Sequence, residues 1–322
     1  MDERSAITSG LSVAGQPLLN NVEAFQEIER HVTVPDDLKD TQTFKAGPID
    51  EVRLLENPIG REIIDAMKAS SAIHAYATVE DLRDHVTFRL RAIEAMAFCN
   101  TGPYDMDYFN PLIDLQPRIG TVDASRVSKF WAFMHPHEQD DAEFVQVSKT
   151  TPSEAIAPLA GATFPFRGEC AGAFQMSVYF GLLNAFGKEV FNEMAADFGT
   201  MYIGPWRLAG GAPNPATLFM KPAPLSDPPI PGDYMYFKNK DDYLKWAPNG
   251  FWTGLNAMYM GKDDLGSRHY SGMGASWLSE TNLRASLINA YYRDCYPQRG
   301  SPSARFALRT TNDESPGPRN NS

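Results

Sequence analysis

Apolar residues recur at three-to-four spacing from Ile59 to Ala69 and again from Val79 to Phe98, through Leu82, Val86, Phe88, Leu90, Ile93 and Met96. That spacing predicts two amphipathic helices. The second should stop at Asn100-Thr101-Gly102-Pro103. Short aromatic and β-branched runs at 130–134 and 144–147 predict strands. Thr151, followed by Pro152 and by Glu154 three residues on, reads as a helix start. The strongest helical pattern begins at Glu169 or Cys170 and runs to Phe186, with Phe174, Val178, Leu182 and Phe186 on one stripe and Gly187 as its stop. Residues 188–198 should be helical as well. A Gly/Pro-rich loop over 204–231 follows, longer than most connections inside a domain and therefore a candidate for function. Strands are expected at 234–238, 257–260 and 268–272, and a closing helix over 280–292.

These elements define an α+β domain over residues 57–296. Residues 1–56 mix short apolar clusters with Gly, Pro, Asn and Asp and read as an extension carrying at most one short helix at Val22–His31. Residues 297–322, rich in Ser, Pro, Arg and Asn, read as a disordered tail.

The formal charge of −11 over 322 residues offers no general attraction to nucleic acid or anionic lipid. The first residues, Met1-Asp2-Glu3-Arg4, lack the apolar segment of a secretory signal, and no apolar run is long enough to span a bilayer. The three cysteines, Cys99, Cys170 and Cys295, are scattered without metal-ligand or disulfide spacing, so a reducing, cytoplasmic setting and no metal are expected.

Cys170 is the one credible nucleophile. Gly168 and Glu169 precede it, and Ala171, Gly172 and Ala173 follow. Small neighbours let a substrate approach sulfur, while a helix start supplies unpaired N–H groups and a dipole that favour a thiolate and a developing oxyanion. The plain alternative is a small buried hydrophobe, which is the reading for Cys99 and Cys295.

Several stretches in order resemble the small, Bacillus-type spore-coat transglutaminases (protein-glutamine γ-glutamyltransferases). They are 82–111, 152–173, Gly187-Lys188-Glu189-Val190-Phe191-Asn192-Glu193, Pro231-Gly232-Asp233, Tyr236-Phe237-Lys238-Asn239, 252–261 and 270–274. The resemblance covers about two thirds of the chain, roughly residues 79–292. It implies a papain-like fold of the NlpC/P60 kind, with an antiparallel sheet packed by helices. The implied reaction is attack of a thiolate on a glutamine carboxamide, release of ammonia, and transfer of the acyl group from the thioester to a lysine amine. Water as acceptor gives deamidation. The partners are then protein glutamine and amine donors, and no cofactor is required.

In this family glutamates act as bases, one directly before the cysteine and one in a Gly-Glu-Asn motif. Glu169 matches the first. The second position reads Leu255 within Gly254-Leu255-Asn256, and the family's Gly-His-Gly reads Gly272-Met273-Gly274. Asn256 and His269 are the remaining candidates for supporting roles, although four residues along a strand separate His269 from position 273, about 13 Å. His269 is expected as a strand-end or surface histidine. Two outcomes stand open: apolar surroundings make Glu169 a better base and activity survives, or Glu169 disfavours the thiolate and the chain is a catalytically silent protein-binding or structural relative. A cysteine peptidase or toxin-like deamidase on the same scaffold is a third reading.

Overall fold

The computed structural model describes residues 57–101, 104–108, 130–134, 143–160, 166–168 and 170–295, apart from residues 73, 77–78, 148, 198, 209–210, 225 and 249, together with 11–13 and 16–17. Glu169, the short helix expected at 22–31 and the tail at 297–322 lie outside the described residues.

The helices form where the sequence periodicity places them, and their caps explain their starts. Asn57 opens α1 (Pro58–Ala69) by accepting from the N–H groups of Ile59 and Gly60 at 2.9 and 3.1 Å. Helix α2 (Val79–Phe98) buries Leu82, Val86, Leu90, Ile93 and Met96. Helix α3 (Pro152–Ala160) begins with a reciprocal box: the Thr151 N–H donates to Glu154 at 2.9 Å, and the Glu154 N–H donates to the Thr151 hydroxyl at 3.4 Å. Helix α4 runs from Cys170 to Ala196 and is broken at Gly187, whose φ of 75° and ψ of 176° interrupt the helical path. The stop expected at Gly187 and the second helical piece beyond it are both present. A short helix α5 (Tyr243–Trp246) and the closing helix α6 (Glu280–Cys295) complete the set.

Thirteen strands are described, and most are short. In chain order they are β1 (Leu11–Val13), β2 (Gln16–Pro17), β3 (His74–Tyr76), β4 (Asn100–Thr101), β5 (Tyr104–Tyr108), β6 (Trp131–Met134), β7 (Glu143–Gln146), β8 (Phe166–Gly168), β9 (Tyr202–Ile203), β10 (Tyr234–Lys238), β11 (Gly254–Lys262), β12 (Arg268–Gly272) and β13 (Ala275–Ser279). The central sheet is antiparallel in the order β10-β11-β12-β13. Three smaller sheets are described besides it, in the orders β2-β1-β3, β4-β5-β8 and β6-β7-β9. The architecture is α+β, as the element pattern predicts. Strand β13 was not expected from the sequence; within it Trp277 has φ 48°, and its pairing with β12 shifts register between Tyr270 and Gly272.

The core lies where α2 and α4 cross beneath β11. At the crossing, Gly181 comes so close to Ala92 that a Cβ at Gly181 would stand 2.9 Å from the Ala92 backbone. Cys99 near the end of α2 meets Ser177 at 3.8 Å, so the two helices run antiparallel. The Cys170 end of α4 is thereby set against the far end of α2 from β3 and the β1–β2 pair.

A partly buried polar chain fixes where β10 begins. Arg89 of α2 donates to the Asp233 carboxylate at 2.8 Å and to the Pro231 carbonyl at 3.1 Å, and Asp233 accepts from the Ile230 N–H at 2.8 Å. Gly232, at φ 93°, lies against Arg89, where an added Cβ would sit 3.3 Å from the arginine Cβ. Tyr234 follows Asp233 directly, so this turn sets the approach of its side chain.

Arg89 also donates to His85 Nε2 at 3.0 Å, and guanidinium cannot accept; the His85 ring proton therefore sits on Nδ1, 2.5 Å from the Tyr76 hydroxyl. Burial first, and then the Arg89 charge, push the His85 pKa down from 6.5 to about 3. In that window the unfolded chain binds the proton and the folded one does not. Stability attributable to His85 is complete above pH 6.5 and is lost as the pH falls toward about 3. Replacing His85 with Gln should flatten the acid side of the stability profile between these limits in urea titrations. An unchanged acid slope would mean that His85 does not carry it.

Candidate active site

Strand β8 ends at Gly168 and the chain turns into α4 at Cys170, its first residue. The thiol is 6% exposed, at the edge of a cluster containing Phe174 and Met273. As the first residue of a helix, Cys170 sits at the positive end of the helix dipole, which favours a thiolate.

Asn256, on β11, reaches sulfur. Its Nδ2 donates to Cys170 Sγ at 2.6 Å. Its Oδ1 accepts from the Trp206 indole Nε1 at 2.9 Å and from the Tyr234 hydroxyl at 2.5 Å. The amide orientation follows from chemistry, because an indole N–H only donates and so must face the amide oxygen. That leaves the NH2 toward sulfur. Phe174, Trp206 and Tyr234 wrap this group, with ring centroids 5.0 to 5.9 Å apart and edge-to-face geometry in all three pairs.

Strand geometry separates the two positions where the family motifs are altered. Asn256 pairs with Tyr236, and Leu255 pairs with Phe237. Successive side chains on a strand face opposite ways. Leu255 thus lies on the face of Phe237, whose ring carries the Arg284 guanidinium of α6 at 5.3 Å. Position 255 is turned away from the thiol, and position 256 is turned toward it. Met273 is different: Ala257 pairs with Gly272, and extending this register one residue sets Met273 across from Asn256. It is 2% exposed and occupies the two-residue turn between β12 and β13.

His269 is not brought to the thiol. It pairs with Gly261, five residues along β11 from Asn256 and so about 16 Å away. Its ring stacks on Trp277 at 5.1 Å and its Nδ1 lies 2.9 Å from the Ser267 carbonyl. The strand-end placement expected from the sequence is the one observed. Glu169, directly before Cys170, lies outside the described residues. The other two cysteines are buried, and burial pushes the Cys99 thiol up to about 12.

Trp206 and Tyr234 were not among the site residues expected from the sequence. The signal for Trp206 was the unusually long loop at 204–231, and that for Tyr234 was its place directly after the Pro231-Gly232-Asp233 turn. Neither signal says which side chain meets sulfur.

Among the described residues no helix is long and apolar enough to cross a membrane, and no group of three or more His, Cys, Asp or Glu could hold a metal ion. No curated protein matches the sequence. A transglutaminase from Geobacillus stearothermophilus, solved without its C-terminal extension, is 19% identical over 66% of this chain and 85% of its own, with a TM-score of 0.44. Residues 41–298 match the family described as protein-glutamine gamma-glutamyltransferase, a span that contains Cys170, Asn256 and every strand of the central sheet. With four fifths of its length inside that match, and a cysteine at a helix start whose sulfur meets a strand of the antiparallel sheet, this chain belongs to the protein-glutamine gamma-glutamyltransferase family.

Proposed function

We propose that the chain transfers the acyl group of a protein glutamine through a thioester at Cys170, with Glu169 as the base. The observation that carries this reading is the Cys170 thiol at the start of α4, held at 2.6 Å by an oriented amide. The thiolate sulfur attacks the glutamine carboxamide carbon, and the carbon–nitrogen bond breaks as the nitrogen takes the proton that Glu169 removed from the thiol. Ammonia leaves. A lysine amine or water then attacks the thioester carbon and the carbon–sulfur bond breaks, with Glu169 taking the proton of the attacking group and returning it to the departing Cys170 thiolate.

Incubating the protein with a glutamine-bearing protein and a labelled primary amine should release ammonia and incorporate label, and Cys170→Ala should remove both. Ammonia without label would assign deamidation. Neither product, on a panel of glutamine donors, would reject the reading.

A second reading is favoured by the neutral amide that touches sulfur where a charged partner would promote the thiolate: a relative that binds a protein partner without turnover. Alkylation by iodoacetamide followed against pH separates the two. The catalytic reading expects a Cys170-dependent midpoint well below the ordinary thiol value of ~8.5. A midpoint at or above it favours the binding protein.

A further inference from the structure

We propose that Asn256 is an oxyanion donor for the acyl-transfer step, and that Trp206 and Tyr234 are positioning residues that keep its NH2 aimed at the reacting centre. The proposal rests on the reading of Cys170 as nucleophile and adds a role for the group beside it.

A primary amide carries two N–H donors on one nitrogen. One of those on Asn256 is directed at Cys170 Sγ at 2.6 Å. Among the described residues Nδ2 has no other acceptor, and Asn256 is only 6% exposed, so water has little access to it. The Asn256 oxygen, by contrast, is saturated by Trp206 and Tyr234 at 2.9 and 2.5 Å. A buried amide whose acceptor side is filled twice and whose donor side keeps a spare hydrogen beside a nucleophile is built to receive an oxygen.

The substrate supplies that oxygen. When the thiolate lone pair forms the carbon–sulfur bond, the carbonyl π pair moves onto oxygen. That oxygen is then two bonds from sulfur, within reach of a donor that already touches sulfur. The negative charge is lost again when the carbonyl re-forms and the carbon–nitrogen bond breaks. The interaction is therefore strongest in the tetrahedral state, which is what accelerates a step. Because α4 begins at Cys170, the positive end of its dipole favours the same negative charge.

The orientation has to be enforced. An Asn amide turned by half a rotation would present its oxygen to the thiolate and to the oxyanion, and both contacts would be repulsive. Trp206 forbids this because its indole has no acceptor, and Tyr234 adds a second donor to the same oxygen. The Phe174, Trp206 and Tyr234 rings hold each other edge to face. The Tyr234 position is set in turn by the Arg89 bond to Asp233.

Two electrophiles distinguish this role from a general effect on the thiol. Alkylation by iodoacetamide displaces iodide from a saturated carbon and develops no oxyanion. Acylation by p-nitrophenyl acetate does develop one, and it does not depend on recognition of glutamine. Asn256→Ala should slow acylation of Cys170 about 100- to 1000-fold. Alkylation, measured at a pH where the thiol is fully ionised, should change by less than about 3-fold. Asn256→Asp keeps the shape but has no spare donor, and it should acylate as slowly as Asn256→Ala. Tyr234→Phe and Trp206→Phe should show the same selective loss of acylation in smaller measure, with the double variant approaching Asn256→Ala. Parallel loss of alkylation and acylation would overturn the proposal, since Asn256 would then serve only the thiolate. Faster acylation by Asn256→Asp would overturn it too, and would make position 256 a base site. If Asn256→Ala fails to fold, Tyr234→Phe carries the same comparison. Should the wild type acylate from the ester but release no ammonia from any glutamine donor, the glutamine reading fails while the oxyanion role stands. Wild-type protein that alkylates but does not acylate refutes the oxyanion role itself.

Discussion

Leu255→Glu should destabilise the domain strongly and should not create a transglutaminase base. Matching the family motifs residue by residue suggests that a carboxylate at 255 stands beside the thiol, and the β11 register contradicts this. Leu255 is 2% exposed and shares its face with Phe237, while Asn256 holds the side toward Cys170. A glutamate there loses the packing of a buried leucine, about 2–5 kcal/mol, and adds a carboxyl with no position prepared for it. The cation on that face, Arg284, already bonds Glu280 at 3.0 Å. A carboxyl buried in this way keeps its proton in the folded state well above the unfolded value of about 4.3. The folded protein then holds more protons than the unfolded one, so the deficit should grow as the pH rises above about 4.3. Urea unfolding at pH 5 and pH 8 should give midpoints below wild type, with the larger drop at pH 8, and ammonia release should not rise. A wild-type midpoint together with faster turnover would show that position 255 faces the thiol after all. Met273→His is the informative companion, because position 273 lies across from Asn256: its expected result is faster alkylation of Cys170 near neutral pH, read against the same thiol in wild type.

Gly181→Leu should prevent the native crossing of α2 and α4. Even a Cβ at this position would stand 2.9 Å from the Cα, Cβ and N of Ala92, and backbone atoms on a helix cannot give way singly. The helices would have to separate. Gly181→Ala is the graded form: overpacking costs about 1–3 kcal/mol and the gain in helix propensity returns about 1. The leucine should cost more than the alanine by several kcal/mol and leave little folded protein, measured by urea unfolding and by near-ultraviolet circular dichroism. Because α4 carries Cys170 at one end and Gly181 at its middle, activity in any folded Gly181→Ala protein should fall with the thiol geometry. A leucine variant with the wild-type midpoint would mean that the crossing is looser than described.

The family and the cysteine at the start of α4 were legible in the chain because their signals are local. A thiol preceded by Gly168 and followed by Ala171-Gly172-Ala173, an apolar stripe closed by Gly187, and the Thr151 to Glu154 box each depend on residues within one or two turns. Such features act through backbone geometry that neighbours impose directly, so they survive translation from sequence to structure. The placement of His269 at a strand end was likewise within reach of simple strand length.

What the tertiary structure alone decided is which groups meet at sulfur. Leu255 and Asn256 are adjacent, both are buried, and the strand is covered on both faces, so the usual alternation of apolar and polar residues cannot say which one points to α4. Pairing with Tyr236 and the position of the helices settle it. Trp206 reaches Asn256 from 50 residues away and Tyr234 from 22. Their meeting depends on the Arg89–Asp233 contact, 144 residues apart, and on the close helix crossing at Gly181. Sequence spacing carries no record of contacts made by folding a chain back on itself, and a one-residue change of register exchanges the two faces of β11. Local sequence therefore placed a cysteine at a helix start, while packing brought the Asn256 amide to it.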